Sequence, residues 1–210
     1  MRGYFILGTD TGCGKTHVSL ALLRDLRRRG IPAVGYKPVC CGDRKEARAL
    51  REACNPALPL DAVNPVYLRT VAAPMMAAEL EGRRISPDGL EQGLRALAAE
   101  GEPVVVDSCG CWETPLAEGV TTGTLAVRLG LPVVLVAANR YGAVGQAAMS
   151  VKSVRAAGLE CAAVVLNSVT EEWDTACVTN AAMIERCTGV PVIAQLISGQ
   201  DEMDSSALVP

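Results

Sequence analysis

Apolar residues recur along the chain in two rhythms. Short, nearly continuous runs rich in Val, Leu, Ile and Ala at residues 4–7, 32–39, 103–106, 131–137, 161–166 and 190–196 predict buried strands. Between them the spacing turns helical. Leu20, Leu22, Leu23 and Leu26 oppose Arg24, Arg27, Arg28 and Arg29 up to a stop at Gly30, and the arginines read as a solvated face. Leu90, Leu94 and Leu97 mark a helix over 87–99 with Ser86 placed to cap it, and 75–80, 144–157 and 175–187 complete the helices. No period is sustained over 54–74, which reads as a long loop with functional potential. Strands alternating with helices predict an α/β fold, a mostly parallel β-sheet with helices on both faces. One domain over 1–210 is expected, with a polar stretch from about 198 to 210 placed as a flexible tail.

Chemistry enters at Gly8-Thr9-Asp10-Thr11-Gly12-Cys13-Gly14-Lys15-Thr16, which joins the first strand to the first helix. Strand, glycine-rich loop and helix start are what a phosphate chain needs, since inward backbone N–H groups and a helix N-terminus balance its charge. Gly12 and Gly14 allow the approach, Lys15 can reach terminal phosphates, and the Thr16 hydroxyl can ligate a magnesium ion. The loop is a variant P-loop, with Thr9 where the usual pattern has glycine and Gly8 one residue early, so the fold expected is P-loop NTPase-like. The second strand carries Lys37 to the same sheet edge, and Asp107 ends the strand over 103–106 as the expected second magnesium anchor.

Half the residues are hydrophobic and only 3% aromatic, which suits a core of Val, Leu, Ile, Ala and Cys. A net charge of -3 gives no general reason to bind nucleic acid or an anionic membrane, no run approaches a membrane span, and the first fifteen residues read as strand and loop rather than a leader. A cytoplasmic enzyme is expected. Nine cysteines lack the spacing of a disulfide framework. Cys54, Cys161, Cys177 and Cys187 read as small buried hydrophobes, whereas Cys13, Cys40, Cys41, Cys109 and Cys111 all fall at the ligand edge. His17, alone of its type, can pack or hydrogen-bond beside the phosphates.

Gly8 to Thr16, together with Gly35-Tyr36-Lys37-Pro38-Val39 and Gly42, closely resembles dethiobiotin synthetase. The resemblance extends through Glu46-Ala47, Asn64-Pro65, Ala73-Pro74 and Glu81-Gly82-Arg83 to Asn167, covering most of residues 3–195. It implies ring closure of 7,8-diaminopelargonate with carbon dioxide and ATP, giving dethiobiotin, ADP and phosphate. Lys37, Lys15 and Thr11 would then be catalytic, and Thr11, Lys37 and Cys41 would line the diamine site. Gly12, Cys13, Gly14, Lys15, Thr16, His17, Asp107, Ser108, Cys109, Gly110 and Asn167 would bind the nucleotide, with Asn167 reading adenine. Thr16, Glu46 and Asp107 would hold Mg2+, Glu46 being favoured over nearby Asp43. The resemblance also implies a homodimer with substrate near the interface, to which Asn139, Arg140, Tyr141 and residues 142–146 are candidates to contribute.

One loop departs from the family. Where it has Glu-Gly-Ala-Gly-Gly-Trp, this chain has Asp107-Ser108-Cys109-Gly110-Cys111-Trp112. Two other readings therefore stand beside the synthetase: a related P-loop ligase or nucleotide-switch ATPase with another substrate, and a protein whose edge cysteines hold zinc or an iron–sulfur cluster.

Overall fold

Strands buried on both faces must offer apolar residues to each side, and the alternation within each run does so. The computed structural model describes residues 1–98, 101–169 and 174–208. In chain order the elements are β1 (Gly3–Gly8), α1 (Lys15–Arg28), β2 (Val34–Tyr36), β3 (Val39–Cys41), α2 (Lys45–Cys54), α3 (Leu60–Val63), β4 (Val66–Leu68), α4 (Pro74–Leu80), α5 (Pro87–Leu97), β5 (Val104–Asp107), β6 (Pro115–Ala117), β7 (Val120–Thr121), α6 (Thr122–Leu129), β8 (Val133–Ala138), α7 (Ala143–Ala156), β9 (Cys161–Asn167), α8 (Thr175–Thr188) and β10 (Val192–Leu196).

Six strands form one parallel sheet in the order β10-β9-β8-β1-β5-β2. Phe5, Leu7, Val104, Val106, Leu135 and Leu166 point to the face covered by α5, α6, α7 and α8. Ile6, Val105, Val134 and Val165 point the other way, against α1 and α2. Ile6 pairs with Asp107, so β1 and β5 end side by side and deliver the glycine-rich loop and the aspartate to one edge. The expected α/β architecture is therefore the observed one.

Four expectations need correction. The run over 32–39 is not one strand: β2 ends at Tyr36, and β3 pairs with β4 in a separate two-stranded sheet. Pro38 has no N–H to donate to a ladder, so the chain leaves the main sheet at Lys37. The loop expected over 54–74 contains α3 and β4. Neither the β6–β7 hairpin nor α6 was anticipated, although Thr121 and Thr124 form a capping box at the start of α6. Ser86 caps α5 as expected, accepting from Gly89 N at 3.1 Å, but that helix ends at Leu97, and Ala99 lies outside the described residues.

The fourth correction concerns the tail. Met203, Ser205 and Leu208 are buried, and the first and last of these join the core beside α1. Asp25 of α1, itself buried, accepts from Ser205 N at 2.9 Å, Ser205 Oγ at 2.6 Å, Arg28 Nη2 at 2.8 Å and Arg29 Nε at 2.7 Å. The arginine run is thus more than a solvated face: Arg24 pairs with Asp201, Arg28 with Glu202 and Arg29 with Asp204. Tyr4 donates its hydroxyl to the Leu208 carbonyl. Val209 and Pro210 lie outside the described residues.

Burial works to raise the Asp25 pKa, but hydrogen bonds from Ser205, Arg29 and Arg28 outweigh it and hold the carboxyl well below its ordinary 3.8. A lowered folded-state pKa places this contribution above the unfolded value and removes it as pH falls through the folded one. Asp25→Asn is expected to lose about 2 kcal/mol of stability at pH 7, with hydrogen bonds to a charged group at stake. Urea denaturation across pH checks this, since the gap to the wild-type protein should narrow below pH 3.8.

Candidate active site

The loop from Gly8 to Thr16 begins α1 without a side-chain cap, because its N-cap is Gly14 at φ 93°. The first-turn N–H groups are therefore free to face a ligand. A Cβ at Gly14 would lie 2.0 Å from Asn167 Nδ2, so the left-handed glycine admits the Asn167 amide directly beneath the loop. Asn167 donates Nδ2 to the Cys13 carbonyl at 3.1 Å, and its Oδ1 faces His17 Nδ1 at 2.9 Å. His17 Nε2 in turn meets the Gln200 carbonyl at 2.7 Å, linking α1, β9 and the C-terminal segment.

Gly8, too, has a steric reason to be glycine. A Cβ there would come 2.7 Å from Lys15 Nζ and 2.8 Å from Cys13 Sγ, so the shifted glycine gives the lysine room to fold across the loop. Lys15, largely buried, donates to the Asp10 carbonyl at 2.9 Å. Thr9 and Thr11 frame the loop: Thr9 N donates to Val136 O, and exposed Thr11 donates its N–H to Asp10 Oδ1 at 2.7 Å.

Beside the loop lies a charged cluster. Lys37, only 3% exposed, places Nζ 2.9 Å from Asp107 Oδ2, 2.8 Å from Glu46 Oε2 and 3.2 Å from the Ser108 carbonyl. Asp107 is fully buried and also accepts from Thr16 Oγ1 at 2.6 Å. Burial works to lower the Lys37 pKa, but Asp107 and Glu46 override it and hold the ammonium above the ordinary lysine value. Glu46 is the converse case: burial raises its pKa, and Lys37 more than offsets that to leave it low. The site therefore carries a fixed cation between two carboxylates.

Asp107 Oδ1 is buried with no hydrogen-bond partner, as are Ser108 Oγ and Thr9 Oγ1. Orphaned oxygens at the edge where Thr16 and Glu46 meet Asp107 fit a hard, oxygen-preferring cation such as magnesium. Asp43 is not part of this set. It precedes α2 and accepts from Lys45 N at 2.9 Å, whereas Glu46 faces Lys37.

The expected loop residues split between two environments. Ser108 is buried and gives its carbonyl to Lys37, while Gly110 turns the chain so that Cys111 N donates to Thr114 Oγ1 at 2.8 Å. Cys109 and Cys41 are part-buried; burial raises both thiols, that of Cys41 to about 11, and each sits close enough to feel Lys37. Among the described residues no three His, Cys, Asp or Glu side chains group to hold a metal ion. Of the edge cysteines, Cys13 lies against Lys15, Cys109 against Thr122 and Cys111 against Thr114, so the described residues lend the cysteine metal-centre reading no support.

The Asn139 side chain is engaged within the fold. It is buried, donates to the Cys177 carbonyl at 3.1 Å and accepts from Asn180 at 2.9 Å, tying β8 to α8. Arg140 instead approaches Asp10 at 3.6 Å, and Tyr141 is exposed. Sequence reasoning gave no role to Arg44 or to the side chain of Asn64, which donates to the Lys37 carbonyl and accepts from Arg44. The Asn64-Pro65 pair entered the sequence reading only through the family resemblance, inside the stretch over 54–74 read as a long loop.

A parallel sheet with an uncapped glycine loop at the end of one strand and an acidic residue at the end of its neighbour defines the class: a P-loop α/β domain. Residues 2–201 match the family described as AAA domain. Over 209 residues the chain is 44% identical to ATP-dependent dethiobiotin synthetase BioD of Akkermansia muciniphila, covering 100% of this chain and 98% of that one. It is 42% identical over 205 residues to the protein of the same name from Anaeromyxobacter sp., covering 96% and 92%. The chain belongs to the ATP-dependent dethiobiotin synthetase family. Two solved structures share the fold alone: Signal Recognition Particle 54 kDa protein from Aeropyrum pernix (TM-score 0.58, 16% identity, 97% of this chain and 43% of that one) and Cell division protein ftsY from Thermotoga maritima (TM-score 0.55, 13% identity, 96% and 63%).

Gly12 and Gly14 both have positive φ, yet a Cβ at Gly12 would meet nothing within 4 Å. Gly14→Ala is therefore expected to lose at least about 1 kcal/mol more stability than Gly12→Ala: the left-handed backbone penalty is common to both, and displacement of the buried Asn167 amide falls on Gly14 alone. Paired urea melts of the two variants measure that difference.

Proposed function

We propose that the protein catalyses the ATP-dependent carboxylation and ring closure of 7,8-diaminopelargonate to dethiobiotin, acting in the cytoplasm. The observation that carries this reading is the cluster of Lys15, Thr16, Lys37, Glu46 and Asp107 at one sheet edge, in a chain that aligns end to end with synthetases of that name.

In the proposed reaction one amine adds to carbon dioxide and loses a proton to give a carbamate. A carbamate oxygen attacks the γ-phosphorus of ATP, and the bond to ADP breaks. The second amine then attacks the carbonyl carbon of the mixed anhydride, phosphate leaves, and the cyclic urea closes. Negative charge builds on the carbamate and the transferring phosphoryl group, so the work is positioning and electrostatic stabilisation. Lys37, held as a cation, stabilises the carbamate and the attacked phosphoryl group. Lys15 leaves the Asp10 carbonyl for the terminal phosphates, and the α1 N-terminus receives the phosphate chain. Thr16, Asp107 and Glu46 would hold Mg2+, which when bound offsets phosphate charge. Gly12, Cys13, Gly14, Ser108, Cys109 and Gly110 form the walls of the nucleotide site, with His17 and Asn167 at its base end, while Thr11 and Cys41 line the diamine side.

A homodimer is part of this proposal. Tyr141 is 85% exposed, Met149 of α7 73% and Val178 of α8 69%, and α7 packs on α8, so apolar side chains stand on adjoining elements. Met149→Asp is expected to shift the mass measured by light scattering from dimer toward monomer. A wild-type monomer at micromolar concentration would count against the assembly.

Phosphate release with ATP, magnesium and bicarbonate is expected to depend on diaminopelargonate and to fall at least 100-fold in Lys37→Ala, the scale of removing one charge-stabilising group. Diamine-independent release would favour a nucleotide switch or another substrate.

A further inference from the structure

At Lys37 the chain leaves the main sheet. The β2–β5 register ends at Tyr36 with Val106, and Pro38 offers no N–H, so strand pairing does not hold the Lys37 peptide. The end of α3 does so instead. Lys37 N donates to Val63 O at 2.8 Å, and Asn64 Nδ2 donates to the Lys37 carbonyl at 2.8 Å. Asn64 is fully buried, spends its other amide hydrogen on Val66 O at 3.0 Å and accepts on Oδ1 from Arg44 Nε at 3.0 Å. Every polar atom of that side chain is engaged.

Arg44 continues the network. Its Nη2 reaches the Asn64 carbonyl at 2.8 Å, the Leu60 carbonyl at 3.3 Å and Asp61 at 2.8 Å, and its guanidinium lies over Tyr67, 5.4 Å from the ring centroid. Arg44 is also the N-cap residue of α2, two positions before Glu46. The segments carrying the ammonium and one of its two carboxylates are therefore tied to the same buried amide.

We propose that Asn64 and Arg44 are positioning residues that fix the Lys37 ammonium relative to Glu46 and Asp107; the inference rests on the synthetase reading above. Neither touches the reacting atoms. Their effect passes through the Lys37 backbone and the start of α2, where a displacement of about 1 Å can cost roughly 10²-fold in rate.

Asn64→Asp keeps the acceptor toward Arg44 and removes both N–H donors, and Arg44→Lys keeps the charge but cannot span the same carbonyls. In the full-length protein Asn64→Asp is expected to lower kcat 10- to 100-fold with the KM for ATP within twofold, because Lys15 and Thr16 are untouched. Arg44→Gln should lower kcat similarly, and Arg44→Lys should recover part of it. Hydrogen exchange at the Lys37 amide should accelerate at least tenfold at an unchanged global unfolding midpoint. Unchanged kcat, a loss confined to the KM for ATP, or a lowered midpoint with normal kcat would overturn the proposal. Should Asn64→Asp not fold, the two Arg44 variants carry the test, since that side chain reaches the surface. If the wild-type protein shows no diamine-dependent turnover, the synthetase reading falls, and the exchange rate alone decides: acceleration supports the brace, and an unchanged rate overturns it.

Discussion

A lysine ammonium taken almost wholly out of water is tolerable only because two carboxylates and a carbonyl close around it. Removing one partner of such a set is costly, so each partner is itself fixed. Asp107 is fixed by strand β5 and by Thr16, and Glu46 by the start of α2. The parallel sheet, the register that ends β1 beside β5, and the departure of the chain at Pro38 all serve to bring these groups to one edge. With two carboxylates to one ammonium the cluster retains a negative excess. A hard cation could offset it, and Lys15 on the adjoining loop is placed to offset the charge of a phosphate chain instead.

The loop and the base-side contacts obey a separate constraint, steric rather than electrostatic. Lys15 can fold over Gly8, and Asn167 can rise beneath Gly14, because neither position carries a Cβ. The usual P-loop glycine is displaced by one residue, yet the space it provides is still used, by a lysine that returns to the Asp10 carbonyl. The C-terminal segment joins the same arrangement through Gln200 and His17, and its acidic residues meet the arginines of α1. The C-terminal segment is thereby packed against the helix that follows the phosphate loop.

How much of this was legible in the sequence followed from the range of the interactions. Periodicity marked all six strands of the main sheet, because the buried ones are apolar almost throughout and the half-exposed edge strand β10 still carries Val192, Ile193, Ala194 and Leu196. Local spacing likewise marked the loop, Lys37 and Asp107. The break at Lys37 was missed although Pro38 stood in view, since an apolar run over 32–39 outweighed one absent donor. The packed tail was missed because its polar residues are matched by Asp25 and by arginines some 175 positions away. Asn64 stood in the stretch read as a long loop and in the family resemblance, and only the folded chain gives its amide the Lys37 carbonyl.

The loop that departs from its family, residues 107–112, is held chiefly from outside the charged cluster. Gly123 N donates to the Trp112 carbonyl at 2.8 Å, Thr122 Oγ1 to the Cys109 carbonyl at 2.8 Å, and Thr114 Oγ1 receives Cys111 N while donating to its sulfur. Both loop sulfurs thus find hydroxyl neighbours on the side of β6 and α6. Ser108 differs, for its hydroxyl is buried and unpartnered. Asp107 Oδ1, one residue earlier, is unpartnered too, so two oxygens at this corner are left without a protein partner. Lys37 and Thr16 share the other oxygen, Asp107 Oδ2, so the shorter carboxylate still reaches both of these groups of the charged cluster.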